Sequence, residues 1–482
     1  MALVNSSLIT IDDLSNGEIE GLFSLADEMS DSMNEQFGVC QGKIMASLFF
    51  EPSTRTRLSF ETAMHRLGGR VISAVDVKAT SLAKGESIAD MARVVGSYAD
   101  IIVIRHPWEG AAKIVADYAG VPVINAGDGG HQHPTQTLCD LYTIKKERQT
   151  IKGLKIALWG DLKYGRTIHS LIFALAKFGA NILFFPSPGL EVPDHVIKKL
   201  IIEYGGELEK SEALGTIVKD NLFPLDAIYM TPNSPHQLAM MPDINMEVEL
   251  QAGLDALYVT RPQKERFSAA EEGQETKGIY PVVDKKMLKG KAFRKTLVMH
   301  PLPRVDELAY EVDADPRSMY FKQAARGVPI RMALVALLLG AREISVHGED
   351  DSLASKIDYP TYRRDFGVRC PNQKCVSIQE TETKYIKPEF KVVDREPLTV
   401  RCVYCEHGFE PKYVASADWH EGRLVNKIYH SADSHWAKKI KPENLIIFGS
   451  ASEAEAHGFK PSQYVSAHHE ENVDKKVSKK EQ

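Results

Sequence analysis

Short apolar runs alternate with helical segments along residues 1–340, and this alternation constrains the fold more than any other feature of the sequence. The run at 43–50 is bounded by Pro52 and predicts a buried strand, and the next segment has helical apolar spacing up to Gly68-Gly69. Further strands are predicted from the runs RVISAVDV, IIVIRH, VPVIN, LKIALWG, ANILFFPS, DAIYM, DALYVT and KTLVM. Alternation of this kind is typical of parallel sheets with helices on both faces. We therefore predict two α/β domains that meet near residue 151, and a long apolar helix within 325–343.

One stretch of the second domain echoes another. LDAIYMTPNSP at 225–235 resembles LDALYVTRPQK at 254–264. A single echo predicts a local duplication, not a repeat architecture.

The charge balance and the apolar content exclude several classes of protein. The chain has 59 basic and 65 acidic residues and a net charge of −6, whereas dedicated nucleic-acid-binding domains are strongly basic. No run of about 18 apolar residues is present. The N-terminus has no basic stretch followed by an apolar one, which is the pattern of a secretory signal. We expect a cytoplasmic protein with neither nucleic acid nor membrane as a partner.

The turn after the first strand has the residues of an anion site. Ser53, Thr54, Arg55 and Thr56 combine hydroxyls, a guanidinium and the free N–H groups of a helix start, a set suited to phosphate. In isolation, such a stretch is more often an ordinary helix cap beside a surface arginine.

Other polar residues stand at predicted strand ends and helix starts. His133 and Gln136 are three residues apart around Pro134 and share one helix face, so that both side chains reach the same carbonyl; a lone histidine there is more often structural. Arg105 ends a strand at the edge where α/β sheets bind ligands, although a strand-end arginine is also compatible with simple solvation. The segment from Gly160 to Arg166 lacks dinucleotide-binding spacing, and its arginine favours a substrate carboxylate.

Seven motifs, in this order, resemble those of the catalytic chain of aspartate carbamoyltransferase. They are FFEPSTRTRLSFE, SLAKGES, IRHP, HPTQTLCDL, GDLKYGRTIHSL, TRPQKER and HPLPRVDEL, and the resemblance covers about residues 5–340. Ornithine carbamoyltransferases share part of this set but have H-C-L-P where this chain has His300-Pro301-Leu302-Pro303. The resemblance therefore implies transfer of a carbamoyl group from carbamoyl phosphate to L-aspartate in pyrimidine biosynthesis. The alternatives are a non-catalytic scaffold of the same fold and a transcarbamoylase for another amino acid.

The resemblance also implies a role for each matching residue. The phosphate would be held by Ser53, Thr54, Arg55 and Thr56; the carbonyl would be polarised by Thr56, Arg105 and His133, and the amide group would be held by Gln136. The aspartate carboxylates would be bound by Arg166, Thr167, Arg261 and Gln263, and substrate N–H groups by the carbonyls of Leu302 and Pro303. Ser81 and Lys84 would complete the site of a neighbouring subunit. This implies a homotrimer or a higher homo-oligomer with shared active sites and no organic cofactor.

Six consecutive segments follow from these patterns. A carbamoyl-phosphate-binding domain is expected at 1–145, completed by a C-terminal helix at about 305–342, and an aspartate-binding domain at 146–304. The interval between Arg166 and Arg261 is about thirty residues longer than the family implies, so an extra segment is expected at about 225–255, either an insertion or a decayed duplicate. The rest divides into a linker at 343–365, a small zinc-binding β domain at 366–415, a small α+β module at 424–466 and a disordered tail at 467–482.

Four cysteines in the tail have the spacing of a metal site. Cys370 and Cys375, then Cys402 and Cys405, form two knuckles that suit one structural Zn²⁺ per chain; disulfides or free thiols are the alternative. The segments RCPNQKC and RCVYCEHGF resemble the zinc domain of the regulatory chain of aspartate carbamoyltransferase. The nucleotide-binding domain of such regulatory chains is missing, which implies that nucleotides do not regulate the enzyme through this chain.

The last segment resembles the small metal-binding module of the Ada DNA-repair protein, but it lacks the ligands. Ser434, Ser462 and Val465 stand where that module has cysteines. We predict a relic fold without metal that serves as a contact surface between subunits; the alternative is a solvated helical tail. The expected small core consists of Trp436, Ile440, Leu445, Ile447 and Phe448.

Overall fold

A computed structural model describes most of the chain in two compact units. The described residues are 3–31, 37–75, 84–163, 165–187, 189–205, 226–231, 254–261, 282–290, 293–346, 357–363, 367–380, 385–417, 419–420 and 423–465. The first unit comprises Met1–Pro107 with Val115–Lys356, and the second comprises Trp108–Ile114 with Ile357–Gln482.

The first sheet of the first unit is parallel and has the order β2-β1-β3-β4. Its strands are β1 (Ile44–Phe49), β2 (Arg70–Ala74), β3 (Ile101–His106) and β4 (Val123–Asp128). Strands β3 and β4 are buried throughout, as expected for apolar runs covered on both faces, whereas β2 is an exposed edge.

The second sheet of this unit is also parallel and has the order β6-β5-β7-β8-β9. Its strands are β5 (Lys155–Gly160), β6 (Asn181–Pro186), β7 (Ala227–Thr231), β8 (Ala256–Val259) and β9 (Leu297–Met299). The two parallel sheets confirm the predicted α/β class.

Helices surround the two sheets and connect their strands. They are α1 (Asn16–Asp31), α2 (Thr54–Arg66), α3 (Ile88–Gly96), α4 (Ala111–Ala119), α5 (Pro134–Arg148), α6 (Arg166–Lys177), α7 (Asp194–Tyr204) and α8 (Tyr320–Leu338). The long helix α8 packs against α1, α2 and α5, which explains why its second half, from Ile330 to Leu338, is buried and, apart from Arg331, apolar. None of the described helices has the length and apolar character required to span a bilayer.

The two copies of the sequence echo form neighbouring strands. β7 lies between β5 and β8 and is fully buried, with Tyr229 in register with Tyr258 and the two rings stacked at 4.3 Å. The first copy thus forms an ordered, buried strand at Ala227–Thr231, and its origin as an insertion or a decayed duplicate stays a prediction. The rest of that predicted segment, 232–253, lies outside the described residues.

The second unit has two small sheets. The first is antiparallel, in the order β10 (Thr361–Arg363), β11 (Glu389–Arg395), β12 (Leu398–Cys402) and β13 (Gly408–Phe409). The second has the order β18 (Leu445–Phe448), β14 (Tyr413–Ser416), β17 (Ile428–Ser431) and β19 (Lys460–Pro461). The short hairpin strands β15 (Trp419–His420) and β16 (Arg423–Leu424) and the helices α9 (Val376–Gln379), α10 (His435–Lys439) and α11 (Ala451–Ala456) complete it.

The segment Trp108–Ile114, which includes the first four residues of α4, belongs to this second unit, and its backbone pairs with that of the cysteine-rich part. Glu109 forms a bridge with Cys375: its N–H donates to Lys374 O at 2.9 Å, and its carbonyl accepts from Val376 N at 2.8 Å. Asn372 donates to the Glu109 carboxylate at 2.6 Å. A Cβ at Gly110, whose φ is +86°, would lie 2.6 Å from the backbone of Tyr404, so only glycine fits this approach.

The core of the last module differs in part from the expectation. Leu445, Ile447 and Phe448 are fully buried on β18, as expected, but Trp436 is 60% exposed on α10. Tyr429 and Phe459 fill the interior instead. The prediction of Trp436 as a core residue is wrong, because a helix as short as His435–Lys439 buries only one side, and Ala437 lies on that side.

Candidate active site and metal centre

A polar pocket in the first unit collects residues from both parallel sheets and from α8. Its walls come from the turn after β1, the end of β3, the start of α5 and α6, the residues after β8 and β9, and one face of α8. The lining residues are Pro52, Ser53, Arg55, Thr56, Ser59, Arg105, His133, Gln136, Cys139, Thr167, Thr260, Arg261, His300, Pro301, Leu302, Pro303, Gln323, Ala324, Gly327 and Arg331.

Three helices begin at or beside this pocket without a side-chain cap. The N-cap residues of α2, α5 and α6 are Ser53, His133 and Gly165, and none of them makes a capping bond through its side chain. Helix N-termini carry unpaired N–H groups and a partial positive charge. The pocket is therefore suited to anions.

Two guanidinium groups meet in the pocket. Burial, together with the nearby positive charge of Arg261, lowers the pKa of Arg55. Like charges held together in this way repel one another until an anion lies between them. The arrangement fits ligands that carry more than one negative charge.

Arg105 and His133 form a second polar group on the pocket wall. Arg105 Nη1 lies 3.3 Å from Ala126 O and 3.4 Å from His133 Nε2, and its Nη2 lies 3.2 Å from Glu51 Oε1. The guanidinium and the imidazole therefore lie side by side on one wall of the pocket. A Cβ at Gly127, where φ is +115°, would lie 3.0 Å from Arg105 Nη1, so glycine leaves this arginine its space.

The segment after β9 is held by a buried histidine. His300 Nε2 lies 2.8 Å from Glu307 Oε1, and His300 Nδ1 accepts from Leu302 N at 2.8 Å. Since Nδ1 accepts, the ring carries its proton on Nε2. Burial lowers the pKa of His300, in agreement with a neutral ring. These bonds hold Leu302 at φ +56°, a conformation that is rare for a leucine.

Most of the residues predicted from the sequence line this one pocket. They are Ser53, Arg55, Thr56, Arg105, His133, Gln136, Thr167, Arg261, Leu302 and Pro303. Thr54 begins α2 but is not a lining residue, and Lys84 is exposed and does not reach the pocket of its own chain. Arg166 begins α6, and its side chain is outside the described part, as are Ser81 and Gln263.

Sequence reasoning missed the part of the pocket wall that α8 supplies, which consists of Gln323, Ala324, Gly327 and Arg331. Gln323, Gly327 and Arg331 follow one another at intervals of four and therefore lie on one face of an otherwise apolar helix. This interruption of the apolar pattern was the available signal. Glu51 and Thr260 flank predicted residues and were also missed.

The second unit contains a candidate metal centre. The sulfurs of Cys370, Cys375, Cys402 and Cys405 all lie within 4.8 Å of one another, and none forms a disulfide. Cys370 Sγ is 3.6 Å from Cys405 Sγ, and Cys375 Sγ is 3.8 Å from Cys402 Sγ. Four thiolates about 2.3 Å from one tetrahedral ion would be roughly 3.8 Å apart. The cluster fits a structural metal.

Three family models match the chain. The carbamoyl-phosphate-binding domain of aspartate/ornithine carbamoyltransferases matches residues 6–146, and the aspartate/ornithine-binding domain matches residues 233–338. The metal-binding domain of the aspartate carbamoyltransferase regulatory chain matches residues 364–415.

Curated relatives and solved structures point the same way. An aspartate carbamoyltransferase catalytic subunit from Thermoplasma acidophilum is 45% identical over 345 residues, 70% of this chain and 99% of that protein. The crystallised catalytic subunit of M. jannaschii aspartate transcarbamoylase is 44% identical with a TM-score of 0.55, over 70% of this chain and 98% of that one. The Trypanosoma cruzi enzyme solved with carbamoyl phosphate and aspartate is 36% identical with a TM-score of 0.57, over 70% and 98%.

Proposed function

This chain belongs to the aspartate carbamoyltransferase family, and we propose on that basis that it transfers the carbamoyl group of carbamoyl phosphate to the α-amine of L-aspartate. The products are N-carbamoyl-L-aspartate and phosphate, and the setting is pyrimidine biosynthesis in the cytoplasm. The observation that carries this proposal is the joint placement of Arg55 and Arg261 in a pocket where three helices begin. Two polyanionic substrates need such a concentration of positive charge.

Carbamoyl phosphate would bind at the start of α2. Ser53, Thr54 and Thr56 would donate hydroxyl or backbone hydrogen bonds to the phosphate, and Arg55 would neutralise the oxygen that joins it to the carbonyl carbon. Ser53 and Thr56 line the pocket, and the Ser53 hydroxyl does not cap its own helix. A phosphate on this helix start gains both the free N–H groups and the helix dipole.

The carbonyl group would face Arg105, His133 and Thr56. As the α-amine of aspartate forms its bond to the carbonyl carbon, negative charge develops on the carbonyl oxygen. Arg105 is 5% exposed and is fixed by Glu51, so it requires little reorganisation to donate to that oxygen. The C–O bond to phosphate then breaks, and the departing phosphate takes up the proton that the amine loses.

Aspartate would bind on the opposite wall. Arg261 and Thr167 line the pocket there, and Arg166 and Gln263 would complete the carboxylate contacts. The carbonyls of Leu302 and Pro303 would accept N–H groups of the substrates; both residues belong to the segment that His300 holds.

A homotrimer with shared sites is supported by one exposed edge of the first sheet. β2 is an edge strand on which Ile72 is 42% exposed, and Leu58 on α2 is 48% exposed. Edge strands with apolar side chains are normally covered. Lys84, which is exposed and does not line its own pocket, would then enter the site of the neighbouring subunit together with Ser81.

Zinc is the metal that best suits the second unit, one ion per chain, because four closed thiolate ligands favour it. It would hold the two knuckles together and take no part in catalysis. The last module would be a metal-free relic of an Ada-type domain that contacts another subunit, since Ser434, Ser462 and Val465 occupy the ligand positions.

An acceptor-panel assay tests the proposed function. The full chain is incubated with carbamoyl phosphate and with L-aspartate, L-ornithine, L-glutamate or L-lysine, and the carbamoylated product and released phosphate are quantified. We expect product with L-aspartate only. Preferred carbamoylation of another amine would overturn the assignment of the acceptor, and no product with any amine would leave the scaffold alternative.

A further inference from the structure

One buried carboxyl group touches the pocket residues without lining the pocket itself. Asp140 is 1% exposed on α5, one turn after Gln136. Its Oδ1 accepts from Gln136 Nε2 and from Gln323 Nε2, both at 2.8 Å, and its Oδ2 accepts from the Tyr258 hydroxyl at 3.0 Å. Three side chains from three elements therefore converge on one acceptor.

We propose that Asp140 is a positioning residue that turns the carbonyl oxygen of Gln136 toward the pocket and thereby selects an NH₂ group on the bound acyl phosphate. A side-chain amide has a donor end and an acceptor end of nearly the same shape. An ionised carboxylate accepts only, so contact with Asp140 assigns the NH₂ end of Gln136 to the protein interior. The opposite end, Oε1, is then the one left for a ligand.

The inference rests on the proposed function, in which Gln136 holds the carbamoyl amide group. Carbamoyl phosphate presents an NH₂ where acetyl phosphate presents a methyl group. An acceptor oxygen fixed at that point binds the first and is left unpaired by the second, and an unpaired buried polar group is costly. If Gln136 were free to rotate, its NH₂ would face the ligand's NH₂ in part of the population.

A second hydrogen bond connects Asp140, through Gln323, to the segment after β9. Gln323 donates to Asp140 through Nε2 and accepts from His300 N through Oε1 at 3.0 Å. Its amide is therefore oriented at both ends. Because His300 also binds Leu302 N, Asp140 supports the backbone of a second part of the pocket wall.

A third hydrogen bond connects Asp140, through Tyr258, to the sheet next to the proposed aspartate-binding residues. Tyr258 is on β8, two residues before Thr260, and it stacks on Tyr229. The Tyr229 hydroxyl lies 3.0 Å from Thr167 Oγ1. One carboxyl group thus joins the wall for the acyl phosphate to the wall for the amino acid.

The hydrogen-bond donors around Asp140 partly offset the cost of burying its charge. Burial raises its pKa to about 7, while bonds from Gln323, Gln136 and Tyr258 and the positive charge of Arg331 oppose the shift. Protonation would place a hydrogen on one oxygen. Tyr258, whose hydroxyl can rotate to accept it, is the partner that adapts, and the two amides keep Oδ1.

The test measures the affinity of the full chain for inorganic phosphate, acetyl phosphate and carbamoyl phosphate by calorimetry, without turnover. The affinity for inorganic phosphate measures binding at the start of α2 alone. The ratio of the dissociation constants of acetyl phosphate and carbamoyl phosphate measures the contact with the NH₂ group. For Asp140→Leu we expect phosphate affinity within about threefold of the wild type and a loss of about tenfold in the ratio, the value of one hydrogen bond.

Two variants serve as matched controls. Asp140→Asn keeps an oxygen for both amides and turns its NH₂ toward the Tyr258 hydroxyl, so the ratio should stay within about threefold of the wild type. Thr143→Val removes a buried hydroxyl one turn further along α5, where it bonds Cys139 O, and should leave all three affinities unchanged. An unchanged ratio in folded Asp140→Leu, or a loss of the same size in phosphate affinity, would overturn the proposal.

A polarity swap keeps the proposal testable if Asp140→Leu does not fold. Gln136→Glu places two carboxyl groups next to each other, and we expect it to lose the preference for carbamoyl phosphate over acetyl phosphate. The double variant Gln136→Glu/Asp140→Asn should regain part of this preference, because an NH₂ group again faces a carboxylate. No regain in the folded double variant would contradict the role of Asp140. If the wild type discriminates between the two acyl phosphates but does not carbamoylate aspartate, the proposed function fails and the positioning role stands.

Discussion

At the scale of single residues, Arg55 is the side chain on which the phosphate subsite depends. We expect Arg55→Ala to lower kcat by about 10² or more, because a preorganised cation at a leaving group is worth several kcal/mol. Arg57→Ala is the control on the same helix, since Arg57 pairs with Glu61 at 3.8 Å and does not line the pocket. Steady-state kinetics with saturating aspartate measures both variants, and retention of more than a tenth of wild-type activity in Arg55→Ala would refute the assignment.

The raised pKa of Asp140 predicts that the stability of the folded chain depends on pH. Its pKa is raised to about 7 in the folded chain, whereas an unfolded aspartate titrates near 4. The folded state therefore prefers the protonated form, so this group destabilises the fold progressively as pH rises from about 4 to about 7. Thermal unfolding at several pH values should show that Asp140→Asn lacks this component, so the difference in Tm between variant and wild type shifts in favour of the variant as pH rises. A constant difference across that range would contradict the raised pKa.

The sequence indicated ten of the residues that line the pocket, because each stands near a strand end or a helix start. It did not indicate Asp140, Gln323 or Arg331. These three act from within α5 and α8, and their partners are far away along the chain: Gln323 is 183 residues from Asp140. Only the packing of helix against helix brings such pairs together.

At the scale of elements, the four-cysteine cluster is expected to maintain the sheet that contains β11 and β12. Cys402→Ser/Cys405→Ser should lose its one zinc ion, measured by elemental analysis of the dialysed protein. The residues from 357 onward should then become sensitive to protease, because a site of this kind contributes directly to folding. The Cys40→Ser variant, which changes a buried cysteine of the first unit, should keep its zinc. A second zinc that survives the double substitution would contradict the relic nature of the last module.

The strands of the parallel sheets were predictable because buried strands are short, apolar and bounded by turn residues. The strands of the second unit were less so. β14 pairs with β17 and β18, although its residues precede the predicted start of that module at 424. Antiparallel strands with one exposed face carry few apolar residues, so the pattern gives no sign of which sheet such a strand joins.

At the scale of the whole molecule, shared active sites predict complementation between inactive chains. Lys84→Ala and Arg55→Ala remove different halves of a site that two subunits are proposed to build. Mixed after partial unfolding and reassembly, the two variants should regain some activity, because one interface of a hybrid trimer combines two intact halves. Native mass spectrometry verifies the exchange and the trimer mass. Verified hybrids without activity would show that each chain builds its site alone.

The pairing of Glu109 with Cys375 has a consequence for the stability of the second half of this chain. The second unit is discontinuous in sequence, since it takes Trp108–Ile114 from the middle of the first. A gene fragment that encodes only the cysteine-rich half therefore lacks a piece of its own backbone pairing and a glycine that its Tyr404 requires. A fragment cut at the linker would lack these contacts. The second half is consequently expected to unfold more readily when it is produced without the segment Trp108–Ile114 than in the full chain.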